Sequence, residues 1–210
     1  RKVKDRLRTI YDAWGLEGIK NFTDTQLTVL LQGLYLTNER RMFIQETIRF
    51  IEYINFDFVG YLNKFKNLKD LVEDLVTRMP QYNDVSVHPT GKVYFYKRVQ
   101  ALKYSYRKQI TSFDVTDELT ALADYRIPQF LNSIGILDYS PELQQRIALG
   151  AEIKAGTQEE AEIRANTIQV IQELSQEFSI KPSDLDSIIC NASRELTDRK
   201  PHHRTITTSY

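Results

Sequence analysis

Apolar positions along this chain recur at helical spacing far more often than they alternate. In "NLKDLVEDLVTRMP", Leu68, Leu71, Val72, Leu75, Val76 and Met79 fall on one side of a helix that Pro80 ends. Ile44, Thr47, Ile48, Ile51 and Ile54 form a similar stripe upstream. Downstream, "TQEEAEIRANTIQVIQELSQEF" carries Ile163, Thr167, Val170, Ile171, Leu174 and Phe178 along one face, and Thr157 and Glu160 stand at capping-box spacing at its start. The aromatic run "VYFYKRVQALKYSYRKQ" opens like a strand, yet Tyr94, Val99, Leu102 and Tyr106 suit a helix. A further helix is expected from Thr116, with Asp117 and Glu118 in its first turn and a break near Ile127, because Pro128 lacks an amide hydrogen.

"QYNDVSVHPTGKVY" has turn chemistry at Asn83, Asp84, Pro89 and Gly91, and "SVH" and "KVYFY" on either side form a candidate hairpin. The resulting expectation is one all-α domain over residues 1–210, about eight helices with a small irregular or hairpin element near residues 81–96. The polar end "RKPHHRTITTSY" is not amphipathic and is either disordered or fixed by specific polar contacts.

Composition narrows the function classes. Lys plus Arg equals Asp plus Glu at 28 each, so no overall field draws the chain to nucleic acid or to an anionic membrane. The sole cysteine, Cys190, excludes an internal disulfide. No apolar run approaches the roughly 20 residues that span a bilayer, and the charged start leads into no signal-peptide core, so a soluble, cytoplasmic protein is expected. The chain opens at Arg1 instead of methionine, as a trimmed piece would.

Glycine-rich phosphate loops, Cys-x-x-Cys and His-Glu-x-x-His are absent, and with only His88, His202 and His203 no transition-metal site is expected. His202 and His203 are read as solvated surface in preference to ligands. The unusual stretch is "ADYRIPQFL". Asp124 beside Tyr125 and Arg126 either accepts hydrogen bonds from amides freed at the proline or pairs with Arg126, or it is a partly buried general base or nucleophile. In "FYKRVQ", Arg98 is read as laying its stem along apolar surface, whereas Lys97 is expected to share a helix face with Tyr94 and Ala101. Glu162 and Arg164 flank Ile163 and read as a helix-surface ion-pair set.

Taken together and in this order, "FYKRVQ", "LTALADYRIPQFLNSIGILDYS", "EAEIRANTI" and "PHHRTITTSY" resemble the queuosine salvage protein family over roughly residue 22 onward. The resemblance implies queuosine 5′-phosphate N-glycosylase activity releasing queuine for tRNA modification, an all-α fold similar to helix-hairpin-helix DNA glycosylases, a small-nucleotide substrate, and no metal or cofactor. It implies that Asp124 is the catalytic carboxylate and Lys97 the cation near it. Arg126, Glu162, Arg164, His203 and Arg204 would line or support the nucleotide pocket, and Asp84 occupies a family aspartate position. Against the resemblance, two departures are expected: the family's further N-terminal portion is not among these residues, and Cys190 and Ser193 stand where members commonly carry tryptophan and glycine.

Elementary chemistry is compatible with that implication. Breaking a glycosidic C–N bond builds positive charge on the sugar, which a carboxylate stabilises by electrostatics and water activation or by a covalent adduct. A 5′-phosphate asks for cations, for which Lys97, Arg126, Arg164 and Arg204 are available, and Tyr125 and Phe95 are candidate stacking partners for a base. The rival readings are hydrolysis of another ribonucleotide or nucleoside, and an inactive helical module that binds a nucleotide or a protein.

Overall fold

The computed structural model describes residues 2–112 and 118–209. Ten α-helices and one two-stranded hairpin make up its regular structure among the described residues, two helices more than the sequence pattern suggests. In chain order, α1 is Lys2–Lys20, α2 Asp24–Leu31, α3 Thr37–Tyr53, α4 Phe58–Leu62 and α5 Leu68–Arg78. A short 3₁₀ turn, Pro80–Tyr82, leads to the hairpin β1 Val85–His88 and β2 Gly91–Tyr94. The remainder is α6 Lys97–Tyr106, α7 Arg126–Ser133, α8 Pro141–Ala148, α9 Gln158–Phe178 and α10 Pro182–Glu195.

The α5 stripe behaves as its spacing predicts: Leu71, Val72 and Leu75 are buried, and Asn67 caps the helix by accepting from the Asp70 amide at 2.8 Å. They join Phe50, Ile54, Tyr61 and Val99 in an N-terminal core. A second core unites Ile127 and Leu131 of α7, Ile171 of α9, and Leu185 and Ile189 of α10. Burying each such side chain is worth about 1.5–3 kcal/mol, so the cores supply the drive while polar contacts set how the helices meet.

The hairpin is antiparallel, pairing Val85 with Tyr94 and His88 with Gly91, so the turn is Pro89-Thr90. Gly91, at φ 138°, takes a backbone conformation that other residues resist. The hairpin stops at Tyr94, and α6 starts only at Lys97, so Lys97 and Tyr94 do not share a helix face as expected.

Two other local expectations change. The predicted α9 capping box does not form: the Thr157 hydroxyl donates to the Lys154 carbonyl at 2.8 Å, while Glu160 accepts from the Gly156 amide at 3.1 Å and turns toward Arg164. The helix expected from Thr116 is also displaced. Thr116 and Asp117 lie outside the described residues, and from Glu118 to Tyr125 the chain is not helical. The helix begins at Arg126, so Pro128 sits inside its first turn, where a missing amide hydrogen costs nothing.

This extended stretch crosses the interior, with Leu119, Ala121 and Ala123 all buried. Its backbone cannot use a helical ladder and is satisfied by side chains from three helices. The Thr120 amide donates to Gln100 of α6 at 2.8 Å, the Leu122 amide donates to Asp186 of α10 at 2.8 Å, and the Ala123 carbonyl accepts from Arg164 Nε of α9 at 3.1 Å.

Arg164 is the hub of these contacts, at 1 % exposure. Its two terminal nitrogens donate to Asp84 at 2.8 and 2.6 Å, its guanidinium lies 3.8 Å from the Phe95 ring centre, and Glu160 completes the group at 3.4 Å. The surface ion-pair reading of Arg164 is therefore corrected. Only Glu162, exposed and held by Gln158 at 2.7 Å and His88 at 3.3 Å, fits it.

The C-terminal end is fixed by polar contacts. The Ile153 amide donates to the Arg204 carbonyl at 2.8 Å, and Gln129 Nε2 donates to the Lys200 carbonyl at 2.8 Å. His203 is buried at 2 %, which corrects its surface reading, because the chain turns it inward between His202 and Arg204, both exposed.

Two outcomes are expected. Arg164→Met leaves Asp84 and Glu160 buried without their cation and should cost about 3–5 kcal/mol in urea unfolding, with an Asp84→Asn, Arg164→Met pair costing less than the two single changes together. Burial pushes the His203 imidazole down to about 4, with His202 adding to the effect. A lowered folded-state value means that the neutral ring stabilises the fold above the unfolded-state value of about 6.5, and that this contribution is lost as pH falls toward the folded value. Between about pH 7.5 and about pH 5, the parent should lose about 2 kcal/mol more than a His203→Gln variant.

Candidate active site

Asp124 and Lys97 meet at the junction of the extended stretch, α6 and α7. Lys97 Nζ lies 3.4 Å from Asp124 Oδ2, with both side chains about a fifth to a quarter exposed. Asp124 Oδ1 accepts from the Arg126 amide at 2.7 Å. The structural reading of this carboxylate holds in part: one oxygen satisfies a free amide at the start of α7, and the other faces Lys97 in place of Arg126.

The backbone around the pair is held by the same buried guanidinium. Asp84 accepts from the Lys97 amide at 3.3 Å through the oxygen that also faces Arg164, and its carbonyl accepts from the Phe95 and Tyr96 amides at 3.0 and 3.3 Å. Asp84 therefore works as the cap of α6, whose preceding residue Tyr96 is left-handed at φ 47° and has no side-chain cap of its own. On its other side, Arg164 holds the carbonyl just before Asp124.

The same contacts place two further residues. Arg164 is buried with its guanidinium engaged by Asp84 and the Ala123 carbonyl. Phe95 is buried beneath that guanidinium and offers no open ring to a base.

The two residues that follow Asp124, Tyr125 and Arg126, line a cleft of about 720 Å³ whose walls also include Arg199, Lys200, His202 and Arg204, while Asp124 and Lys97 are not themselves among its lining residues. Tyr125 is 38 % exposed, and its ring centre is 4.8 Å from that of His202. The cleft brings together Tyr125, Arg126 and Arg204 of the sequence-level set. Glu162 lies elsewhere, in a separate depression with Asp138, Tyr139 and Ser140. His203 sits behind the cleft wall, close enough to Asp124 for that carboxylate to favour its charged form, against the larger effect of burial.

Three residues of this region were not singled out in the sequence. Arg199 and Lys200 are inconspicuous in a polar run, and nothing in their spacing marks them. Asp186 sits in an amphipathic helix and is buried, bonded to the Leu122 amide. Burial pushes its carboxyl up to about 6, with Asp124 also raising it and Lys97 lowering it. An aspartate on the apolar side of its helix, beside Leu185 and Ile189, was the available signal.

Comparison with known proteins bears on this geometry. The family model described as "Queuosine salvage protein" matches residues 20–210. A queuosine 5′-phosphate N-glycosylase/hydrolase of Dictyostelium discoideum is 32 % identical over 187 residues, covering 83 % of this chain and 58 % of the relative. The protein of that name from Sphaerobacter thermophilus is 36 % identical over 151 residues, covering 67 % and 47 %, and that from Mus musculus is 27 % identical over 192 residues, covering 81 % and 57 %. The chain spans about half the length of these curated relatives. Because the match takes in nearly all of the sequence, including the hairpin, the Asp124 and Lys97 junction and the cleft, the chain belongs to the queuosine salvage protein family.

Proposed function

We propose that this chain hydrolyses the N-glycosidic bond of queuosine 5′-phosphate, giving queuine and ribose 5-phosphate. The observation that carries the reading is the Asp124 carboxylate at 3.4 Å from Lys97, next in the chain to Tyr125 and Arg126 of a cleft rich in cations. The names of the relatives supply the substrate class.

In this reading Asp124 and Lys97 are the catalytic residues. As the C–N bond lengthens, its electron pair leaves with the base and positive charge grows on the anomeric carbon, where Asp124 stabilises it. Water adds to that carbon, and its released proton is carried to the departing base. Lys97 fixes the orientation of the carboxylate. Arg126, Arg204, Arg199 and Lys200 attract the 5′-phosphate, guanidinium forks being suited to its oxygens. Tyr125, beside His202, offers the base an aromatic surface.

Asp84, Arg164, Glu160 and His203 form the support behind these groups. The body is read as one domain of the helix-hairpin-helix glycosylase type, acting in the cytoplasm on a small nucleotide without a cofactor. Its balanced charge of 28 against 28 fits a small ligand better than duplex nucleic acid. No described helix is long and apolar enough to cross a membrane.

Incubation with queuosine 5′-phosphate and mass-spectrometric detection of queuine tests the reading. The parent should release the base, and Asp124→Asn should lower kcat by about 10²–10³-fold while the nucleotide still binds. Full activity in that variant would remove Asp124 from the chemistry, and binding without release by the parent would point to an inactive module. For the phosphate, Arg204→Ala combined with Lys200→Ala should raise KM about tenfold for the nucleotide and leave KM for the dephosphorylated nucleoside unchanged. An equal rise for both substrates would place the phosphate elsewhere.

A further inference from the structure

Of the side chains that hold the extended stretch before Asp124, one is a carboxylate. Asp186, 6 % exposed, accepts from the Leu122 amide at 2.8 Å. On the same helix, α10, Leu185 and Ile189 pack with Ile127 and Leu131 of α7 and with Ile171 of α9. On the neighbouring turn, Tyr104 of α6 donates to Asp184 at 3.3 Å and accepts from Ser187 at 3.0 Å. A backbone tie alone could be made by a neutral acceptor, as Gln100 does for Thr120. A carboxylate in an apolar packing face carries a desolvation cost that such an acceptor avoids.

What distinguishes this position is its electrostatic neighbourhood. Asp124, on the stretch that Asp186 anchors, and Lys97, at the start of α6, are the charged groups that act on it. Asp186, tied to the backbone two residues before Asp124, is thus near enough to feel both charges of the pair, two carboxylates sharing the field of one ammonium. For a reaction that develops positive charge on a sugar, a second fixed negative charge near the first adds to transition-state stabilisation without touching the substrate.

We propose that Asp186 is a positioning residue for the glycosidic cleavage, fixing the backbone two residues before Asp124 and adding a second carboxylate to the field of the Asp124 and Lys97 pair. This rests on the hydrolase reading above. It also predicts a pH dependence. With burial pushing the Asp186 carboxyl up to about 6, its charge is present above that pH and is lost below it, so activity falls on the acid side while Asp186 itself remains favourable to folding there.

The test compares the parent with Asp186→Asn and Asp186→Ala in queuine release from queuosine 5′-phosphate, between about pH 5 and about pH 8. Thermal unfolding and amide exchange across residues 119–126 are measured on the same samples. Asp186→Asn keeps the shape and an oxygen for the Leu122 amide. It should remain folded, lose about tenfold in kcat near neutral pH with KM little changed, and lack the acid limb seen in the parent near pH 6. Asp186→Ala should lose more activity and exchange faster across 119–126. If the parent cleaves and Asp186→Asn matches it in kcat and pH profile, the inference fails and the hydrolase reading stands. Unchanged exchange in the alanine variant would also overturn it. If the parent releases no base, the hydrolase reading fails and takes this role with it, while the exchange data still show whether the Leu122 tie is real.

Discussion

The arrangement of this protein turns on one buried guanidinium. Arg164 reaches Asp84 with its two terminal nitrogens and the Ala123 carbonyl with Nε. Through Asp84 it fixes the first amide of α6, which carries Lys97, and through Ala123 it fixes the residue next to Asp124. Two groups far apart in the sequence are thus set at 3.4 Å by one planar side chain. A lysine would keep the charge but could not serve three directions, because the ammonium is a point and the guanidinium a fork. The cost of burying this ion group is offset by its hydrogen bonding, which also satisfies the Lys97 amide and the Ala123 carbonyl that an apolar replacement would leave without those partners.

The extended stretch before α7 follows from the same logic. A helix would satisfy its own amides and need nothing from its neighbours. An extended segment in the interior must find partners for each polar group, and here Gln100, Asp186 and Arg164 provide them from α6, α10 and α9. That dependence draws three helices toward one place and leaves Asp124 on the most heavily tied backbone of the region. Preorganisation of this kind is what a reacting carboxylate needs, because a displacement of about 1 Å can cost on the order of 10²-fold in rate.

Legibility in the sequence followed the range of the interactions. The stripe Leu71, Val72, Leu75 was readable because burial of one helix face imposes a local period, and the hairpin because Pro89 and Gly91 mark its turn. Asp124 and Lys97 stood out through the family motifs, which contain them without showing that they meet. The helix start was misplaced because Pro128 reads equally as a break or as a first-turn residue, and only tertiary contacts decide between the two. Arg164 and His203 look like surface residues of polar or amphipathic segments, while Asp186 is marked only by its place on the apolar side of its helix. Their burial is set by Asp84, by the fold of the C-terminal end and by the Leu122 amide, partners that no local window contains.

The chain is neutral overall, yet its charges are sorted. Asp84, Glu160 and Arg164 are confined to the interior, where they are nearly dry and act over a few ångströms. Arg126, Arg199, Lys200 and Arg204 line one cleft, where the potential is felt by a ligand that enters it. At physiological salt the field of such a cluster dies away over about 8 Å, enough to hold a phosphate at the cleft but not to draw in a long polyanion that meets a balanced surface elsewhere. For the proposed reaction this sorting resolves an apparent conflict. A phosphate must be attracted by positive charge, whereas the sugar cation formed from the same substrate must be met by negative charge, and separating the cleft from the Asp124 and Lys97 junction lets one small site do both.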